Sequence, residues 1–439
     1  MRNYPEIGLQ VPDILIAVDT IAREKWAVVA CDQYTSQPEY WDQVSQITDG
    51  LPSTYHLILP EAFLGKPEEK YHQSQIKSTM STYLHSGLFQ SMEGLIYVER
   101  NLGSKVRQGL IAALDLERYD FQKYSQSLIR ATEGTIIDRL PPRIIIRENA
   151  PLEIPHIMVL IDDPLFTVIE PLSAYANNLP KLYDFELMMG GGHLKGYLIH
   201  NPEIERKIVS SMVVLACKGV QKQKYQLENS PLLYAVGDGN HSLATAKSFW
   251  EKIKDNVDAN HPARYALVEI VNIHNEGIAF EPIHRLIKNF NTDIFKEILL
   301  FFSGKINLIK AQDLESMVKI IKNQKCNFQL IGSIFNNKFR IIEVLNPLHT
   351  LAVGSLQLFL DDLIRRHPEI DLDFIHGEKA LFQLGNQPDS IGFYLPAMEK
   401  SSLFKSVVKD GPLPRKTFSM GEAHEKRFYF ECRKIQVDE

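Results

Sequence analysis

The sequence predicts an α/β to α+β protein with a mixed sheet core and a smaller C-terminal sub-domain. Three observations carry this. Apolar runs of strand length alternate along the chain with stretches whose apolar residues recur at helical spacing. No internal repeat or low-complexity segment interrupts that alternation. The chain has 439 residues, 44% of them hydrophobic, which exceeds the ~250–300 residues at which a single core stops growing, so two or three sub-domains are expected.

In chain order, residues 26–31 (Trp-Ala-Val-Val-Ala-Cys) suit a buried strand. Ser36 with Glu39 three residues later forms a capping-box pattern, predicting a helix through Tyr40, Trp41 and Val44. Residues 94–99 and 155–161 read as two further strands, the second ending at Asp162-Asp163-Pro164. Two strand-like runs, 185–189 and 194–199, flank Gly190-Gly191-Gly192-His193. Asn201 followed by Pro202 is a cap and first turn for a helix whose apolar face is Ile204, Ile208 and Leu215, with Gly219 placed to end it. Residues 232–236 form a strand that runs into Gly237-Asp238-Gly239-Asn240-His241. From Ser242 a helix follows, with Leu243, Ala246, Trp250 and Ile253 on one stripe. Residues 265–271 are a strand. A boundary is expected near 289–293, and 306–344 reads strand, helix, strand, strand. The expected division is a main domain over 1–290, a small α+β insert over 291–347, and a segment over 348–439 that packs back on the main domain.

Charged residues make up 23% of the chain and the formal net charge is -6. A weakly acidic chain without a basic block has no general attraction to phosphate backbones, so nucleic acid is not an expected partner. No apolar run reaches the ~18–20 residues of a membrane span, and residues 1–10 lack the basic-then-apolar signature of a secretory signal. Cys31, Cys217, Cys326 and Cys432 are scattered, with no CxxC pair, which fits reduced thiols, a cytoplasmic location and no structural zinc. The expected partner is a small-molecule substrate.

The glycine-bounded loop at 237–241 is the leading candidate site. A strand–Gly-x-Gly–helix junction aims free backbone N–H groups out of the helix start, where the macrodipole favours an anion. Gly237 and Gly239 allow close approach of a ligand. Asp238 has the chemistry to hold a metal or accept a proton, and His241 to move a proton or touch phosphate. The same residues equally make an ordinary turn with Asp238 or Asn240 as N-cap. It is not the dinucleotide fingerprint, since the third glycine is missing. Arg130-Ala131-Thr132-Glu133-Gly134-Thr135 sets a carboxylate beside hydroxyls and a guanidinium, a pattern for a general base with phosphate contacts, or for a polar turn before Pro141-Pro142. Asp162 and Asp163 are candidate magnesium ligands or turn residues. The glycines at 190–192, with His193 and Lys195, offer successive amides to a phosphate or make a plain hairpin loop. His284-Arg285 and Arg415-Lys416-Thr417 are further anion contacts or surface positions. Cys31 beside Asp32 is read as a structural thiol.

Five blocks resemble a known family. They are Trp26-Ala27-Val28-Val29-Ala30-Cys31-Asp32-Gln33-Tyr34-Thr35-Ser36-Gln37-Pro38, Ile129 to Thr135, Met189 to Gly196, Gly237 to Ser242, and Pro414 to Ala423 with Arg415, Lys416 and Glu422. Together they look like the bacterial proteins grouped as "domain of unknown function 1015", and the resemblance runs from Pro5 almost to the C-terminus. The central loop is also similar to an Asp-Gly-His-His-Arg box of ParB/sulfiredoxin-like nucleotide-binding proteins, which include kinases acting on free serine. Here Asn240 replaces the first histidine and Ser242 the arginine, which puts one phosphate contact in doubt.

That resemblance implies a nucleotide-dependent phosphotransferase, a small-molecule kinase using ATP or ADP with magnesium. Glu133, Asp238 and His241 would be catalytic, Asp238 also meeting the metal. Gly237, Gly239, Asn240, Ser242, Arg130, Thr132, Arg285 and Lys416 would hold the nucleotide. Two other readings stay open: a metal-dependent hydrolase using Asp162, Asp163, Asp238 and His241, and a non-catalytic ParB-like regulatory nucleotide-binding protein.

Overall fold

β-branched and aromatic residues crowd the apolar runs, and in the computed structural model most of these runs become strands. The structure describes residues 2–135, 140–148, 150–227, 231–323 and 328–437. They fall into two compact units: Met1–Ile278 with Gly421–Glu439, and Ala279–Met420.

In the first unit, β1 (Arg2–Tyr4), β2 (Leu9–Val11), β3 (Leu95–Asn101), β4 (Val106–Asp115), β5 (Tyr119–Asp120), β6 (Ile129–Ala131), β7 (Met158–Ile161), β8 (Lys181–Glu186), β9 (His193–Ile199), β10 (Tyr234–Asp238) and β11 (Tyr265–Asn272) form an 11-stranded sheet. Its order is β8-β9-β3-β4-β11-β7-β10-β6-β5, with β2 on β4 and β1 on β2. The β7–β11, β6–β10 and β5–β6 pairs are parallel and the others antiparallel, so the sheet is mixed.

Side chains of β11 alternate between two apolar clusters. Ala266, Val268 and Ile270 join one, and Leu267 the other. Every residue of β11 is buried, as expected of a strand covered on both faces. Helices α2 (Pro202–Ala216) and α3 (Asn240–Ile253) cover the first face through Ile204, Ile208, Met212, Leu243, Ala246 and Trp250. On the second face lie α1 (Pro38–Thr48), through Tyr40, Trp41 and Val44, and the chain's last segment, through Phe428, Tyr429, Phe430 and Ile435.

The second unit has a 7-stranded sheet of β12 (Phe280–Lys288), β13 (Ile306–Ala311), β14 (Gln329–Phe335), β15 (Lys338–Val344), β16 (Asp371–His376), β17 (Ser390–Tyr394) and β18 (Phe418–Met420). Its order is β13-β15-β14-β17-β12-β16, with β18 on β12. Helices α4 (Ile294–Phe301) and α6 (Ala352–Arg366) contribute to one apolar cluster, and α5 (Leu314–Lys322) and α7 (Glu378–Gly385) to another.

Residues 306–344 run strand, helix, strand, strand as read from the sequence. Residues 291–347 do not stand alone as an insert, however. β14 pairs with β17, and β12 lies next to β17, so 348–420 belongs to the same unit and only 421–439 returns to the first. These pairings join distant parts of the sequence and carry no local signal. The run 26–31 also differs from expectation: Arg23–Trp26 is a helical turn and only Val28–Val29 is strand. The Trp26 carbonyl accepts from Thr54 Oγ1 at 2.8 Å instead of joining a ladder. Asn201 caps α2 by accepting from the Glu203 N–H at 2.8 Å, but α2 ends at Ala216 and Gly219 lies inside the next helix, Lys218–Tyr225.

Candidate functional site

β10 is buried through Tyr234, Ala235 and Val236, then delivers Gly237 and Asp238 to a half-buried loop. Gly239 sits at φ 76°, in left-handed backbone, and a Cβ there would lie 3.0 Å from the Ile157 Cα. Both facts call for glycine. The chain then turns straight into α3, with Gly239 as N-cap and no side-chain cap on the helix. The N–H groups of that first turn have no partner within the helix itself.

Asn240 does not face outward. Its Oδ1 accepts the Thr132 N–H at 3.2 Å, and its Nδ2 donates to the Val236 carbonyl at 3.3 Å. Thr132 Oγ1 donates to the same carbonyl at 2.5 Å. These two side chains tie the ends of β6 and β10 together, so neither is spare for a ligand, contrary to the roles expected of them. The tie places Glu133, half-buried, one residue from the loop's anchor. Arg130 lies further back on β6 beside Ala235 and donates to the Ser127 carbonyl at 2.8 Å. Burial pushes its guanidinium down to about 10.

Around the loop the structure gathers residues that sequence reasoning did not place there. Lys426 Nζ lies 3.5 Å from Asp238 Oδ2, both side chains being largely buried. Ser242, in the first turn of α3, has Oγ 3.4 Å from His156 Nε2. The other ring nitrogen, Nδ1, is 2.9 Å from the Tyr429 hydroxyl, which itself accepts the Cys31 N–H at 3.2 Å. This chain of contacts links four distant stretches of sequence. Asp32 belongs to it as well. Burial pushes its carboxyl up, but the His156 charge, a 2.9 Å hydrogen bond from Gln33 Nε2 and the Lys426 charge together hold it below its ordinary value. Burial and the Asp32 charge push the Cys31 thiol up to about 12, which disfavours the thiolate a nucleophile needs.

The other sequence candidates lie elsewhere. Asp162 is beyond the far end of β7, whose first residue Met158 is the one paired with Asp238. It bonds to the Tyr225 hydroxyl and, at 2.6 Å, to His274 Nε2. Asp163 accepts the Thr167 and Val168 N–H groups at 2.5 and 2.9 Å. Neither joins Asp238 in a metal site, so the hydrolase constellation is not assembled. The glycine turn at 190–192 presents the Gly191 carbonyl to Arg100 and uses the Gly191 N–H on Met188. It offers an acceptor to a cation rather than a cradle to a phosphate. His193 is held between Asp184 and Glu186, at 2.5 and 2.7 Å.

Arg285 and Lys416 belong to the second unit. Arg285 is fully buried and donates to Gln357 Oε1 at 2.9 Å and to the carbonyls of Ile283 and Lys416 at 2.7 and 3.0 Å. It clamps its own sheet and is no surface anion contact. His284, also buried, accepts the Leu395 N–H at 3.1 Å. Cys326 lies outside the described residues.

Among the described residues, no group of three His, Cys, Asp or Glu side chains is arranged to hold a metal ion, and no helix is long and apolar enough to cross a membrane.

A family model described as "Protein of unknown function (DUF1015)" matches residues 16–359. No curated protein matches the chain. Similar solved structures include a conserved hypothetical protein from Pyrococcus furiosus, at 11% identity and TM-score 0.36, covering 73% of this chain and 94% of that one. A free serine kinase in complex with AMP is 9% identical with TM-score 0.38, covering 74% of this chain and 92% of that one. SbnI with a C-terminal truncation, from Staphylococcus aureus, is 9% identical with TM-score 0.35, covering 71% and 83%. At such values these likenesses carry no argument about activity.

Proposed function

The chain belongs to the DUF1015 family, whose description assigns no activity, and we propose from the geometry of its own loop that it is a nucleotide-dependent phosphotransferase acting on a small polar molecule. One observation carries the reading. Lys426 stands 3.5 Å from Asp238 at the start of a helix that no side chain caps. A cation, a carboxylate and the positive end of a helix dipole meet at one place, and phosphoryl transfer asks chiefly for positioning and charge neutralisation.

In this reading the first-turn amides of α3 and the Lys426 ammonium receive phosphate oxygens. Asp238 and Asp32 are carboxylates that interact with that ammonium. They suit a magnesium ion that keeps most of its ligands from phosphate and water, since such an ion needs only one or two protein carboxylates. Magnesium carried in with the nucleotide would supply further charge neutralisation. In the same reading His241, half-buried in the first turn of α3, is the residue that touches the transferring group. Glu133 is the base that takes the acceptor hydroxyl's proton, and His156, held between Tyr429 and Ser242, orients the first turn of the helix.

The test is thermal stability with ADP or ATP and magnesium. A nucleotide at 100 times its dissociation constant stabilises the protein by about 2.7 kcal/mol. Asp238→Asn is expected to lose most of that gain, read as the nucleotide-induced shift relative to the variant's own ligand-free melting temperature. A wild-type protein whose melting temperature ignores millimolar ADP and ATP contradicts the reading.

A further inference from the structure

Beside the candidate site, the chain turns sharply after Val28–Val29. These two residues pair with Phe428–Tyr429, and the Ala30 N–H donates to the Arg427 carbonyl at 3.0 Å. The turn therefore starts against the backbone that carries Lys426. The Ala30 carbonyl accepts the Gln33 N–H at 3.1 Å, and Trp41 Nε1 donates to the Gln33 carbonyl at 3.2 Å. Tyr34 follows at φ 53°, in left-handed backbone. A residue with a side chain takes that conformation at a cost, and keeps it only where the surrounding contacts impose it. Glycine or asparagine would sit there with less strain. The ring is therefore placed for what it touches.

Within the first unit it touches little. Tyr34 is part-exposed and stacks on Tyr40 of α1, with ring centroids 3.7 Å apart and planes 10° from parallel. Tyr40 packs edge-on against Trp41 at 5.5 Å, and Trp41 lies near-parallel to Tyr55 at 6.4 Å. Trp41 is fully buried, so Tyr34 is the outer ring of a row anchored in the core. Among the described residues no second ring and no cation packs on it, and Thr35 to Glu39 beside it are exposed. Burial, and after it the Glu422 charge, raises the Tyr34 hydroxyl above its ordinary value. Glu422 belongs to the segment that holds Lys426, and a short helical turn, Ala423–Glu425, separates the two. At about 2 Å per residue that turn spans roughly 8 Å.

We infer that Tyr34 is the platform on which the base of the nucleotide stacks, while Lys426 and the first-turn amides of α3 hold the phosphates. The inference rests on the nucleotide reading and adds to it the place of the base. A flat ring backed by other rings loses little freedom when a base settles on it, and every base offers a π-face. Stacking grows with the area covered, so purine nucleotides are expected to bind more tightly than pyrimidine ones.

Calorimetric titration of the full-length protein tests this, using magnesium-ADP, magnesium-ATP and magnesium tripolyphosphate, which has phosphates but no base. Tyr34→Leu removes the flat ring and should bind the preferred nucleotide at least about fivefold more weakly than wild type. Tyr34→Phe keeps the ring and should bind it as wild type does. Neither substitution should alter binding of tripolyphosphate. In wild-type crystals grown with the nucleotide that binds, the base should lie parallel to the Tyr34 ring at about 3.5–4.0 Å, a result that stands even if Tyr34→Leu does not fold. Wild type that binds neither nucleotide overturns the nucleotide reading and this inference together. Equal nucleotide binding by Tyr34→Leu, an equal loss of tripolyphosphate binding, or a base lying away from Tyr34 overturns this inference alone.

Discussion

His284 shows how burial decides what a residue can do. It lies 1% exposed, stacked on Tyr394 with ring centroids 4.7 Å apart, and uses Nδ1 as an acceptor for a backbone N–H. A protonated ring could not accept that bond. Burial pushes its pKa down to about 4. An unfolded histidine titrates near 6.5, so between about 6.5 and 4 the unfolded chain binds the proton and the folded chain does not. The stability this residue contributes is complete above pH 6.5 and is lost as pH falls toward 4, on the order of 3 kcal/mol in all. Urea midpoints measured from pH 7 to 4.5 should fall, and fall less steeply in His284→Gln. A variant with an unchanged pH slope would show that the ring is not held neutral by the fold. Read in sequence, His284-Arg285 suggested an anion contact. Both are consumed by their own sheet, and only burial, which needs the tertiary structure, tells the two cases apart. Asn240 and Thr132 repeat the lesson beside the candidate site.

At the scale of elements, local patterns identified what local physics controls. The stripe Leu243, Ala246, Trp250 announced α3, and the Asn201 cap announced α2. The Gly-x-Gly bend at 237–239 was legible because left-handed backbone at Gly239 demands a particular residue type. That the end of the chain packs back on the first unit was expected, and 421–439 does so, but its partners were not legible, since they lie far away in the sequence. Trp26 Nε1 donates to the Phe430 carbonyl at 3.1 Å, Arg433 Nε to Glu153 Oε1 at 2.8 Å, and Phe428–Tyr429 pairs with Val28–Val29. Ending the chain after Met420 would leave Glu153 and Glu269 buried without Arg433 and Arg427, and strip Phe428, Tyr429, Phe430 and Ile435 from the core. Removing one partner of a buried ion pair alone costs about 3–5 kcal/mol. The truncated protein should therefore lose the cooperative unfolding of the first unit, followed by near-ultraviolet circular dichroism. Wild-type melting of the shortened chain would show the segment to be peripheral.

At the scale of the molecule, the mixed sheet was predictable, but the division of the chain was not. The boundary expected near 289–293 fell inside the second unit, which starts at Ala279 and ends at Met420. Strand pairing across long separations sets that division. The same long-range assembly brings Asp32, His156, Lys426 and Tyr429 to the Asp238 loop from three regions of the sequence, and of these only the neighbourhood of Asp32 stands out in the sequence. If charge gathered at the start of α3 exists to hold phosphate, Lys426 must contribute affinity for nucleotide that an ordinary surface lysine does not. Calorimetric titration of magnesium-ADP and magnesium-ATP into wild type, Lys426→Met and Lys77→Met measures this most directly, Lys77 being an exposed lysine of the first unit. Wild type and Lys77→Met should bind one of the two nucleotides alike, and Lys426→Met at least about tenfold more weakly, a loss of roughly 1.4 kcal/mol. No binding by wild type, or equal binding by Lys426→Met, would contradict the account.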